Sequence, residues 1–145
     1  MAAALLGVPA AAVAETGGQR TSVLVTATVL KHASLQILAQ PAAVVITAAD
    51  IERGQVDVPA PVHVAVRSNS GGSMLEFVSD GNFMRRIVVS GAGRDVELSP
   101  SGGLVTTMHA TGGISHLALT FRFILSEAAQ AGTYPWPMRL SVLPL

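Results

Sequence analysis

Residues 117 to 145 read LALTFRFILSEAAQAGTYPWPMRLSVLPL, and this stretch decides the fold. Successive side chains of a strand point to opposite sides, so Leu117, Leu119, Phe121 and Phe123 fall on one face. A short polar break and a Gly-Thr-Tyr turn follow. The closing run then places Met138, Leu140, Val142 and Pro144 on one face and Arg139, Ser141 and Leu143 on the other. Two alternating strands joined by a turn predict a sheet, and nothing in them is reactive. In a sandwich, Tyr134 at the start of such a strand folds over the core and hydrogen-bonds backbone, while Trp136 between two prolines caps one end.

Working outward, composition points the same way. Half of the residues are apolar but only 4% are aromatic, so the core is built from Val, Leu, Ile and Ala. The 14 Gly and 8 Pro punctuate the chain into short strands rather than helices. At 145 residues the chain is one domain long. Nine basic residues balance nine acidic ones with no basic run, which removes the electrostatic basis for a nucleic-acid partner. There are no cysteines, so neither disulfides nor Cys-ligated metal centres contribute.

The strands expected are Ser22 to Leu30, Ser34 to Leu38, Ala43 to Thr47, Gln55 to Val58, Val62 onward, Ser73 to Val78, Arg85 to Ser90 and Arg94 to Leu98. The piece Ala48 to Gly54 reads as a turn, being too short for a stable isolated helix. A hairpin is expected over Leu104 to Phe123 with Gly112-Gly113 at its tip. That register pairs Thr111 with Ile114, His109 with His116 and Met108 with Leu117, and puts Leu104, Thr106 and Met108 on the core face. The fold class is therefore all-β, an immunoglobulin-like antiparallel β-sandwich over residues 22 to 145.

Residues 1 to 21 read as a signal-peptide remnant and linker. Ala12-Val13-Ala14 has the A-x-A form that precedes a secretory cleavage site, but no Lys or Arg precedes the apolar region. Three readings remain open: a clipped signal, a start lying upstream, or an Ala-rich tail. Export to the periplasm or cell surface is the expectation. No run reaches the roughly 18 apolar residues of a stable membrane span.

Chemistry is sparse. His109 and His116, paired in the expected hairpin, are the only candidate metal ligands, and with no acid beside them a solvent-facing cross-strand pair is the preferred reading. Asp50, Glu52 and Asp57 lack the ligand alternation of a calcium loop. No nucleophile elbow, zinc helix motif or P-loop occurs, so no enzyme and no cofactor is expected.

The segment VTATV near the start, VHVAVRSNSGGSMLEF over residues 62 to 77 and the closing AGTYPWPMRLSVLPL resemble the spore coat protein U type and archaic chaperone-usher pilin-like β-sandwiches of bacteria. Members of that group commonly carry cysteines where this chain has Ala33-Ser34 and Ser68-Asn69. The resemblance implies an exported, non-enzymatic structural or adhesive subunit. Such a subunit self-associates by strand exchange, with an assembly chaperone as a further partner. Ser22, Val23, Val25, Ala27 and Val29 have the character of the donor strand, and equally that of the first strand of a complete sandwich. The alternative function is a self-contained periplasmic or surface module that binds carbohydrate or protein.

Overall fold

The structure, a computed structural model, describes residues 20–109 and 112–145 together with the backbone of Ala2–Ala4. The A-x-A segment and the expected Thr111 pairing lie outside the described residues. The chain forms two compact units, residues 1–30 and 31–145. In the first, β1 (Ala2–Ala4) pairs antiparallel with β2 (Ser22–Leu24). The strand expected over Ser22 to Leu30 is thus shorter, and residues 25–30 have no regular structure.

The second unit is an antiparallel β-sandwich. One sheet has the order β3 (Ala33–Ala39), β6 (Val62–Ser68), β11 (Ile114–Leu125), β8 (Met84–Ser90) and β9 (Val96–Leu98), and β5 (Gln55–Asp57) joins β11. The other has the order β10 (Gly102–Met108), β7 (Gly72–Ser79) and β13 (Met138–Pro144). A separate pair joins β4 (Ala43–Ile46) to β12 (Gly132–Pro135).

Alternation builds the core as the sequence predicts. Val62, Val64 and Val66 of β6, Leu119, Phe121 and Phe123 of β11, and Leu75 and Phe77 of β7 are all buried. With so few aromatics, the rings concentrate in one cluster. Phe121 meets Phe77 and Trp136 edge to face at 6.0 and 5.4 Å. Such pairs contribute about 0.5–1.5 kcal/mol beyond burial. Tyr134 braces the closing turn: its hydroxyl donates to the Gln130 carbonyl at 2.8 Å and accepts from the Gln130 N–H at 3.2 Å.

Two expectations are corrected. Ala48–Arg53 is a helix, α1, because its ends are capped. Thr47 Oγ1 accepts from the Asp50 N–H, the Asp50 carboxylate accepts from the Thr47 N–H, and Gly54 closes the C-terminus with a φ of 76°. These bonds satisfy end groups that a six-residue helix cannot satisfy internally. The hairpin over Leu104 to Phe123 does not form. β10 pairs with β7, with Val105 opposite Leu75, whereas β11 pairs with β6 and β8. The chain crosses between sheets there, so Val105 and Thr107 face inward while Leu104 and Met108 are exposed.

Candidate functional site

The first strand of the sandwich is split. β3 runs along the edge of one sheet, Pro41 interrupts the ladder, and β4 continues beside β12. A proline has no N–H to donate, so pairing stops where it stands. On the other side β12 runs into β13 through Trp136 and Pro137, and the last bond of the closed part is Trp136 N–H to the Ala42 carbonyl at 3.1 Å. Beyond it, among the described residues, β13 is paired only with β7 and β3 only with β6. The two strands are neighbouring edges of opposite sheets with no ladder between them. A ladder therefore closes one end of this seam, and none joins β3 to β13 along the rest, although the two strands run close beside each other there.

Burial shows the consequence. Val64 and Val66, the partners of Ile37 and Leu35 in the β3–β6 ladder, are fully buried. Yet Leu35 is only half-buried and Ile37 is 38% exposed. Across the seam, Leu140 and Val142 of β13 are half-buried although their partners Phe77 and Leu75 are buried. Leu35, Leu140 and Val142 thus pack against the core while staying half-buried, Ile37 is exposed, and all four lie along two backbone edges that have no ladder partner on this side among the described residues. That combination accepts an extended apolar strand, since backbone groups need partners and the side chains need cover.

Residues 22 to 30 offer such a strand. Val23, Val25 and Val29 are 54%, 64% and 80% exposed, at alternate positions with Ala27 between. Ser22 and Val23 lie in β2, and Val25, Ala27 and Val29 follow it.

The histidines assort differently from expectation. His109 follows β10, with Nε2 3.1 Å from Ser73 Oγ, while His116 stands on the outer face of β11 opposite Ala65. Their strands belong to different sheets, so the expected cross-strand pair is absent. Among the described residues no group of three or more His, Cys, Asp or Glu side chains is placed to hold a metal. The contact between Ser73 and His109 has the outline of a nucleophile and its base, but Ser73 is fully buried and also bonds Thr107 Oγ1 at 3.1 Å, which makes it an interior tie.

The acids are likewise dispersed. Asp50 caps α1 and Asp57 pairs with Arg122. The Thr47 N–H holds the Asp50 carboxyl below its ordinary value, helped by the Thr47 hydroxyl and the Arg53 guanidinium and opposed by burial. Asp57 raises Arg122 above its ordinary value through a hydrogen bond and its charge. Among the described residues no helix is long and apolar enough to cross a membrane.

Sequence reading found the closing strand but missed the seam beside it. Pro41 was the available signal, marking where the first strand leaves one partner for another. Compared with protein-family models, curated proteins and solved structures, the chain has no match in any of the three.

Proposed function

We propose that this protein is an exported, non-enzymatic structural subunit, pilin-like and of immunoglobulin-like topology, which assembles when residues 22 to 30 of one copy fill the seam between β3 and β13 of the next. The observation that carries the reading is the pairing of an apolar seam that no ladder closes among the described residues with an exposed alternating apolar segment in the same chain. Lengths agree: each edge is seven residues, and the candidate donor alternates over seven, from Val23 to Val29. At 3.2–3.4 Å per residue both span about 22 Å. Insertion parts β3 from β13, which run close beside each other in the unfilled chain; the added strand then supplies backbone hydrogen bonds along both edges, and its alternating valines cover Leu35, Ile37, Leu140 and Val142. The stretches where the pilin-like group commonly carries cysteines, Ala33-Ser34 and Ser68-Asn69, hold none in this chain and depart from that group, although they lie on facing strands with Ala33 opposite Ser68 in the β3–β6 ladder.

Deleting residues 22 to 30 and measuring mass by light scattering tests the proposal. Dimers and polymers of the full chain should vanish in the deletion, and a synthetic peptide of residues 22 to 30 should raise the melting temperature of the truncated sandwich. A full-length chain that stays monomeric at all concentrations, or a truncated sandwich unaffected by the peptide, overturns it.

A further inference from the structure

The outer face of the β3–β6–β11 sheet carries a recess unrelated to the seam. Two rows of side chains cross it, Ser34–Arg67–Ile114 and Gln36–Ala65–His116, in strand register and on the solvent side. Ala65 contributes only a methyl group between longer neighbours, and the result is a depression of about 290 Å³ lined by Ser34, Gln36, Ala65, Arg67 and Ile114. The volume is on the scale of one small ligand rather than of a protein partner.

Its electrostatics are one-sided. Among the described residues Arg67 has no ion-pair partner, a property it shares with Arg20, Lys31, Arg85 and Arg94, and it is the one of these five that lines this recess. No carboxylate stands in either row. An open guanidinium presents a fixed fork that matches a carboxylate in two parallel hydrogen bonds. Beside it the Ser34 hydroxyl and the Gln36 amide both donate and accept, as sugar hydroxyls require. Ile114 and Ala65 give an apolar floor suited to a ring's C–H face. The same charge distribution excludes a cation: His63 and His116 are diagonal neighbours across β6 and β11, but Arg67 is the other diagonal neighbour of His116.

We infer that this recess binds an acidic monosaccharide, a hexuronate, with Arg67 holding the carboxylate and Gln36 and Ser34 holding ring hydroxyls. The site is independent of strand exchange, because every residue in it projects from the face opposite the core.

Titration of the isotope-labelled protein with galacturonate, glucose and sulfate, followed by amide NMR shifts, decides the matter. The expected result is saturable millimolar binding of galacturonate, with the largest shifts at Ala65, Arg67 and His116 and no saturation by glucose. Arg67→Ala should weaken binding at least about tenfold with an unchanged melting temperature, as expected for losing a charge-assisted pair. Ala65→Leu, which fills the recess and keeps the guanidinium, should weaken it comparably. Failure of galacturonate to saturate, equal binding by sulfate, or undiminished binding in either variant overturns the inference.

Discussion

Ala33 and Ser68 face each other across the β3–β6 ladder as a pair that exchanges no backbone hydrogen bond. The next pair outward fixes this geometry, because the Asn69 N–H donates to the His32 carbonyl at 3.1 Å and the His32 N–H to Asn69 Oδ1 at 2.7 Å. In an antiparallel ladder the adjacent non-bonded pair has its Cα atoms about 4.5 Å apart, inside the range a disulfide spans. The double variant Ala33→Cys, Ser68→Cys is expected to oxidise without reshaping the strands. Closing a loop of about 35 residues contributes roughly 3 to 4 kcal/mol in the chain-entropy picture. Part is offset by loss of the Ser68 hydroxyl, which bonds Ser70 and the Gly72 carbonyl. Non-reducing mass spectrometry and thermal melts with and without reductant check this, and a pair that stays reduced in air refutes the register.

The seam makes core positions of one sheet unequal. Leu75 is fully buried, so Leu75→Ala is expected to cost about 2 to 5 kcal/mol. Leu140 faces the same core but is half-buried, and Leu140→Ala should cost about 1 to 2 kcal/mol, in proportion to the area it hides. Arg139→Ala should cost little, since its pair with Asp80 is exposed on both sides. Adding the peptide of residues 22 to 30 should raise the Leu140 cost alone. Urea titration of the three variants with and without peptide measures that difference.

The sequence made the strands legible because alternation is a local property: the faces of β6, β11 and β13 follow from their side chains alone. Pairing is not local. The Gly112-Gly113 turn looked like a hairpin tip, yet Val105 and Thr107 take the core of one sheet and Leu117 and Leu119 that of the other. Both arrangements alternate equally well, so periodicity could not choose between them. The recess at Ala65 was hidden for the same reason, since Ser34, Arg67 and Ile114 meet only through three-strand register. The reading of α1 as a turn failed for a different reason. Thr47, Asp50 and Gly54 supply both caps, and the capping bonds outweigh the nucleation cost.

Asp50 ties stability to pH. Its carboxyl lies below the ordinary value in the fold, chiefly because the Thr47 N–H donates to the ionised form. A depressed folded pKa means that the native state favours the carboxylate. The contribution is therefore complete above the unfolded value, about 4, and is lost as pH falls through the lower folded value. Asp50→Asn should lower the melting temperature at pH 7 and flatten its decline below about pH 4. Melting curves across the acid range test this; a parallel decline in variant and wild type refutes it.

Tyr134 has a hydroxyl whose two partners are both backbone groups of one residue, the Gln130 carbonyl and N–H. Tyr134→Phe keeps the ring against Phe83, whose centroid is 4.6 Å away, and removes only those bonds. The expected cost is about 1 to 2 kcal/mol, near the net value of two ordinary hydrogen bonds. Tyr134→Ala should cost more, because the ring contact goes as well. Gln130→Ala should be nearly neutral, since the side chain takes no part, whereas Gln130→Pro deletes the donor and should cost more than Gln130→Ala. Equilibrium unfolding of the four variants separates the contributions. A Gln130→Ala cost equal to that of Tyr134→Phe contradicts the backbone assignment, and the turn that feeds β13 would then be held by side-chain contacts instead.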